Sequence, residues 1–223
     1  MNAARPASDQ SRRGPSAARP QLRPAAAVAI ITILAVVVLA ADQASKQWAL
    51  AALEPGDPVQ VVGDALVFVL VFNPGAAFSL GEGVTWIFTI ALAVVALAII
   101  VLMITRVRSR LWAVALGLLL GGVLGNLTDR LFRDPGFPVG HVVDFISTPW
   151  MMPAVYNVAD IFIVGDMIAI ALLILVGIHL NGTRDRRESG DDAEGGKTGR
   201  LAAGRDGARQ KDTPAADGST NAA

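Results

Sequence analysis

Long apolar stretches separated by polar segments dominate the chain. Four of them approach the length of about 20 residues at which an apolar helix crosses a bilayer. They cover residues 25–41, 84–104, 111–127 and 158–180. The pattern therefore predicts an all-α membrane protein with four transmembrane helices. A cleaved signal peptide is the competing interpretation of the first stretch, and its removal would leave three spans.

The third stretch is short for a span and contains glycines at a four-residue repeat, Gly117, Gly121 and Gly125. Residues four apart lie on the same side of a helix, and a face of small residues lets membrane helices approach closely. We therefore expect the third helix to pack tightly against a neighbour along this face.

Two segments between the helices have the alternation and turn residues of strands. Residues 57–80 combine valine-rich runs with a Pro-Gly turn, and residues 140–145 read GHVVDF. We expect a small extracytoplasmic β element at the membrane surface.

The positive charges are distributed unevenly, although the chain has a net charge of zero. Five arginines precede the first stretch, three lie between the second and third, and eight Lys or Arg residues follow the fourth. The positive-inside rule then places both termini in the cytoplasm and residues 46–83 and 130–157 outside.

Both ends of the chain lack apolar periodicity. We expect disordered cytoplasmic tails over residues 1–24 and 181–223, flanking a membrane domain over residues 25–180. Basic residues close to the membrane would be attracted to anionic lipid, so membrane lipids are expected partners. We expect no nucleic-acid partner.

The residue inventory excludes several chemistries. The chain has no cysteine, which excludes disulfides, thiol nucleophiles and cysteine metal sites. The two histidines do not form an HExxH pair, and His141 is expected to have a role in its loop rather than in catalysis. We expect neither a metal nor another cofactor.

Polar residues gather at the outward ends of the predicted helices and in the loop between the last two. Asp42 and Lys46 are four apart, whereas two Asn-x-x-Asp pairs are three apart, so each pair shares a helix face. The remaining members are Asn126, Asp129, Arg130, Asp144, Asn157 and Asp160. Buried asparagine amides can fix a carboxylate, and we expect Arg130 to neutralise one acid, which leaves at least two without a cation.

Two carboxylates held close together share a proton, so one can activate water while the other donates to a substrate carbonyl. This is the chemistry of aspartic proteases. Spacing alone leaves two alternatives open, a proton- or ion-coupled carrier and a polar network that only holds helices together. A further acid, Asp166, lies on another face of the fourth helix, and we expect it to be buried and hydrogen-bonded.

Five motifs in sequence order carry a family resemblance. They are DQASK (42–46), FNPGAAFS (72–79), GGVLGNLTDR (121–130), GHVVDF (140–145) and YNVAD (156–160). Together they resemble the lipoprotein signal peptidase family (signal peptidase II), bacterial four-span aspartic endopeptidases. The resemblance covers residues 25–180. Tyr156 replaces the phenylalanine that is usual in the family, with a ring of the same size.

The resemblance implies roles for individual residues. Asp144 and Asp160, here termed the carboxyl pair, correspond to the catalytic residues, and Asp129 is the rival for the second acid. Asn157 would orient the pair. The supporting or substrate-binding positions implied by the motifs are Asp42, Lys46, Asn73, Asn126, Asp129 and Arg130. Of these, Asn126 and Arg130 would contact the substrate backbone or its lipid end.

The resemblance also implies a substrate and a location. The substrate would be a prolipoprotein that carries diacylglyceryl on a cysteine, and the scissile bond would lie just before that cysteine. Cleavage would take place at the outer face of the bacterial cytoplasmic membrane, with residues 57–80 helping to clamp the extended substrate.

Overall fold

A computed structural model describes residues 21–75 and 85–184, and contains four long helices in those ranges. The helices are α1 (Pro24–Ala52), α2 (Thr85–Thr105), α3 (Arg110–Phe132) and α4 (Val158–Leu175). All four are long and apolar enough to cross a membrane. This confirms the predicted set of four membrane helices. Most of each predicted tail lies outside the described ranges. The end of the predicted β segment, residues 76–80, and residues 81–84 also lie outside them.

Three helix boundaries differ from the sequence prediction. Helix α3 continues beyond residue 127 to Phe132. Helix α1 continues beyond residue 41 to Ala52 because Asp42, Lys46 and Ala49 extend its buried face instead of ending it. Helix α4 stops at Leu175 rather than at residue 180. The backbone of Gly177 adopts φ +71°, a conformation that favours glycine and ends a helix.

The third helix is the centre of the bundle, and its glycine face lies against α1. A Cβ atom at Gly121 would lie 2.6 Å from the Cβ of Val38 and 2.8 Å from the carbonyl oxygen of Ala35. A Cβ at Gly125 would lie 2.5 Å from Oδ2 of Asp42. The prediction of a close-packed glycine face is therefore confirmed.

We expect Gly121→Ala to destabilise the protein by about 1–3 kcal/mol, because the added methyl group must displace α1 backbone as well as a side chain. Thermal unfolding of the purified protein in detergent would measure the loss. Gly165→Ala in α4 is the matched control, since no atom lies within 4 Å of its added Cβ. Equal melting temperatures for the two variants would contradict this account of the packing.

A four-stranded antiparallel sheet is formed by segments outside the membrane helices. Its strands, in spatial order, are β1 (Val59–Val62), β2 (Leu66–Asn73), β3 (Val142–Ser147) and β4 (Val155–Tyr156). The predicted strands in residues 57–75 and in GHVVDF are therefore confirmed. The sequence prediction missed β4, which is only two residues long and has no recognisable alternation.

The sheet orients Asp144 by the alternation of β3. Val143 and Phe145 point into an apolar cluster with Ala49 and Leu53 at the end of α1. Asp144 therefore projects from the opposite face. In the antiparallel register Asp144 lies opposite Val71 of β2, two residues before Asn73.

Candidate active site

Asn157 connects the two members of the carboxyl pair. Its Nδ2 donates to Oδ1 of Asp144 at 2.6 Å, and its Oδ1 accepts the backbone N–H of Asp160 at 3.0 Å. The Asp160 carboxylate accepts the backbone N–H of Asn157 at 3.1 Å, which completes a capping box at the start of α4. The Asn-x-x-Asp spacing thus begins a helix and brings its acid next to β3.

Two further asparagines hold the outer oxygens of the pair. Nδ2 of Asn73 donates to Oδ2 of Asp144 at 2.9 Å, and Nδ2 of Asn126 donates to Oδ1 of Asp160 at 2.8 Å. Within residues 21–75 and 85–184, neither carboxylate has a cation within ion-pair distance. Both carboxylates are therefore held by neutral amide groups. This agrees with the prediction from the sequence that at least two acids lack a cationic partner.

The environment of Asp144 favours its neutral form. Its side chain is only 2% exposed. Burial first, and the negative charge of Asp160 second, raise the pKa of Asp144 to about 7. The hydrogen bonds from Asn73 and Asn157 act in the opposite direction, because they stabilise the ionised carboxylate. This carboxyl can therefore hold a proton close to neutral pH.

Behind the asparagines lies a buried set of charges, Asp42, Lys46, Asp129 and Arg133, here termed the ion cluster. Nζ of Lys46 lies 2.8 Å from a carboxylate oxygen of Asp42 and 2.8 Å from one of Asp129, and all three side chains are fully buried. Nε of Arg133 lies 2.6 Å from the other oxygen of Asp129. Two acids and two cations therefore balance each other.

The ion cluster contacts the carboxyl pair indirectly. Nζ of Lys46 donates to Oδ1 of Asn126 at 3.0 Å, and the amide of the same asparagine holds Asp160. Oδ1 of Asp42 accepts the backbone N–H of Ala159 at 2.9 Å. The structure thus places Asp42 and Lys46 one layer behind the carboxyl pair.

Asp129 occupies the ion cluster rather than the carboxyl pair. Besides Lys46 and Arg133, its carboxylate accepts the side chain of Gln43 at 3.1 Å and the backbone N–H of Val143 at 3.2 Å. These contacts join α1, α3 and β3. They favour a supporting role for this residue over a place in the pair.

The expectation that Arg130 neutralises an acid is wrong. Its guanidinium donates to backbone carbonyls instead, to Pro74 at 2.9 Å, to Gly140 at 3.1 Å and also to Asn73 and Gly75. The group is 2% exposed, and among the described residues it has no ion pair. Backbone carbonyls from two chain segments converge on the guanidinium of Arg130. These hydrogen bonds connect the end of β2 to the segment before β3.

A family model described as Signal peptidase (SPase) II matches residues 34–178. The chain belongs to the signal peptidase II family. It is accordingly a membrane aspartic endopeptidase, and the predictions of family and enzyme class are confirmed.

Relatives and solved structures agree with this assignment. A lipoprotein signal peptidase of Leifsonia xyli is 45% identical over 193 residues, covering 81% of this chain and 88% of the relative. One of Rhodococcus jostii is 49% identical over 156 residues, covering 70% and 77%. A solved bacterial membrane enzyme is 26% identical with a TM-score of 0.60, covering 70% of this chain and 91% of that one. A second solved bacterial membrane enzyme has a TM-score of 0.59.

Two polar residues next to the carboxyl pair and the ion cluster of this signal peptidase II chain were not predicted from the sequence as site residues. Gln43 donates to Asp42, to Asp129 and to the carbonyl of Gly125, and Arg133 pairs with Asp129. The i,i+4 spacing of Asp129 and Arg133 was the available signal for the second of these. Gln43 belongs to the DQASK motif, but its contacts with Gly125 and Asp129 on α3 could not be predicted from its position.

Asp166 differs in part from its prediction. The side chain is buried, as expected, at 7% exposure. Within the described part of the chain, however, its Oδ2 has no hydrogen-bond partner, so the expectation of a hydrogen-bonded acid is wrong for that atom. The surrounding positions of α4 are apolar and offer no side-chain donor.

Proposed function

We propose that the chain hydrolyses the peptide bond before the diacylglyceryl-modified cysteine of prolipoproteins, with Asp144 and Asp160 as the catalytic acids. Family membership indicates cleavage of prolipoprotein signal peptides. The single observation that carries the assignment of residues is that Asn157 donates to both carboxylates, through its side-chain amide to Asp144 and through its backbone N–H to Asp160. Asn73 and Asn126 then fix the outer oxygens.

In the proposed reaction the carboxyl pair holds one proton. The ionised member accepts a proton from water, and the resulting hydroxide attacks the scissile carbonyl carbon. The protonated member donates to the carbonyl oxygen. Collapse of the tetrahedral intermediate breaks the C–N bond, and the leaving nitrogen takes a proton from the pair. The raised pKa of Asp144 keeps the required proton available at neutral pH.

We expect catalytic activity to fall as the pH rises through about 7. The folded-state pKa of Asp144 is raised, so its proton is present below that value and is lost above it. Measuring kcat/KM against pH with a lipidated substrate would show this descending limb.

The Asn73→Ala variant tests whether loss of the Asp144 proton causes this fall in kcat/KM at high pH. Asn73 stabilises the ionised form of Asp144, so its removal should raise the pKa and move the limb to higher pH. If the descending limb of the kcat/KM profile stays in place or moves to lower pH in this variant, the limb does not report the ionisation of Asp144.

The direct test of function uses the purified protein and one prolipoprotein in two forms, with and without diacylglyceryl on its cysteine. We expect mass spectrometry to show cleavage before the cysteine in the lipidated form only. Absence of product, together with proton uptake into liposomes that contain the protein, would favour a carrier. Equal cleavage of both forms would refute the role of the lipid.

We further propose that the sheet and the carboxyl pair face outward from the bacterial cytoplasmic membrane, with both termini inside. The distribution of Lys and Arg supports this orientation. Because the chain has no cysteine, Asp64→Cys in the exposed β1–β2 turn and Arg106→Cys in the α2–α3 turn give single labelling sites. In intact spheroplasts an impermeant maleimide should label the first variant and spare the second, and the reverse result would invert the topology.

The exposed strand β1 forms one edge of the sheet. An extended substrate segment can add to such an edge through backbone hydrogen bonds. We propose that it belongs to the surface that clamps the substrate above the carboxyl pair.

A further inference from the structure

A second polar feature lies at the opposite end of the helix bundle. A cavity of about 360 Å³ is lined by three arginines, Arg108, Arg110 and Arg184, together with Ser109 and Gly182. We term it the arginine cavity. Helix α3 rises 1.5 Å per residue, so Arg110 lies about 24 Å along its axis from Asn126. The arginine cavity is therefore separate from the carboxyl pair.

The walls of the arginine cavity are held by backbone contacts between three chain segments. The N–H groups of Arg108 and Ser109 both donate to the carbonyl of Leu180, at 2.8 and 2.9 Å. The N–H of Leu22 donates to the carbonyl of Arg108 at 2.9 Å. These contacts join the segment before α1, the α2–α3 turn and the segment after α4, so the cavity is built into the fold.

The described lining of the cavity is basic and contains no counter-charge. No acidic residue is among the described residues that line it. Ser109 precedes the first turn of α3 and is only 7% exposed, yet its side chain makes no capping hydrogen bond. The Ser109 hydroxyl can therefore donate to a ligand in the cavity, and the free N–H groups of a helix start attract anions. Three guanidinium groups and this hydroxyl therefore favour one kind of occupant, an anion.

We propose that the arginine cavity binds a phosphate-bearing anion. Guanidinium groups bind phosphate oxygens in a bidentate manner, and the volume lies within the range of small-ligand pockets. Two sources share this chemistry, the phosphodiester headgroup of an anionic lipid and free phosphate. A basic pocket at helix ends next to the membrane is suited to the headgroup. This inference does not depend on the proposed peptidase mechanism.

The test is thermal unfolding of the full chain in a neutral detergent, titrated separately with dioleoyl phosphatidylglycerol, dioleoyl phosphatidylcholine and inorganic phosphate. We expect phosphatidylglycerol to raise the melting temperature and phosphatidylcholine to leave it unchanged, since a ligand of the folded state stabilises it. In Arg108→Gln/Arg184→Gln the midpoint of the titration should shift to at least about tenfold higher lipid.

The matched control is Arg23→Gln/Arg106→Gln, which removes two positive charges from the same end of the bundle without changing the cavity lining. It should respond to phosphatidylglycerol as the wild type does. An equal loss in both double variants, or no response to any of the three probes, would overturn the proposal. Stabilisation by inorganic phosphate as well would assign a soluble source.

Ser109→Ala provides a second variant in case the double arginine variant does not fold. It removes the cavity hydroxyl but no helix-capping bond. A weaker response to phosphatidylglycerol with an unchanged melting temperature in its absence supports the site, whereas a wild-type response removes Ser109 from it.

Discussion

Asp144→Asn and Asp160→Asn should each abolish cleavage of a lipidated prolipoprotein while the protein still inserts and folds. Neither asparagine can act as the base that takes a proton from water or as the acid that donates to the carbonyl. Loss of a positioned acid–base group costs about 100- to 10,000-fold, and loss from a pair that shares one proton should reach the upper end. Single-turnover cleavage, with product measured by mass spectrometry, can detect a rate reduction of this size.

The same two variants should have melting temperatures only slightly below that of the wild type, because asparagine has nearly the same volume and its carbonyl can still accept from Asn157, while one of the two hydrogen bonds to the former carboxylate is lost. Asp129→Asn provides the contrast. It weakens contacts to Lys46 and Arg133, so we expect a lower folded yield and a lower melting temperature. An inactive but fully stable Asp129→Asn protein beside an active Asp144→Asn protein would replace Asp144 with Asp129 in the mechanism.

Lys46→Met should be the most destabilising single substitution in the ion cluster. The ammonium group lies between Asp42 and Asp129 with no exposure to solvent. Among the described residues, its removal leaves Asp42 without an ion-pair partner and Asp129 with Arg133 alone. Breaking a buried ion pair in this way costs about 3–5 kcal/mol. Thermal or denaturant unfolding in detergent would measure the loss.

The matched control for this prediction is Asp42→Asn/Lys46→Met. It removes one charge of each sign and leaves Asp129 paired with Arg133. Replacement of a whole buried pair is often nearly neutral, so the double variant should recover much of the stability that the single variant loses. A double variant as unstable as the single one would show that packing, not charge balance, determines the need for Lys46.

The apolar stretches predicted the membrane helices because length and composition alone decide whether a helix can span a bilayer. The boundaries were less predictable. Helix α1 runs past its apolar block because Lys46 has partners on α3 and Asp42 accepts the backbone N–H of Ala159 on α4, and these partners lie 80 or more residues away in the chain. The i,i+4 spacing of Asp42 and Lys46 indicated a shared helix face, but their partners on other helices could not be predicted from it.

Some features of the candidate site could likewise be predicted from the sequence, and others could not. The Asn157–Asp160 capping box follows from spacing, and the motifs single out Asp144. The contacts of Arg130 did not follow, because they depend on how the loops at Pro74 and Gly140 fold back on one side chain. A guanidinium near several acids in the sequence suggested an ion pair, but converging carbonyls bind it instead.

The capping box of α4 has a kinetic consequence. The side-chain Oδ1 of Asn157 caps the start of α4 by accepting the backbone N–H of Asp160, and its Nδ2 donates to Asp144. Unwinding of the first turn of α4 removes the cap that orients Asn157, and Asn73 is then the remaining amide that holds Asp144. Amide hydrogen exchange at Asp160 would report the same opening event that disassembles the carboxyl pair, so the lifetime of the reactive geometry is limited by the fraying rate of a single helical turn.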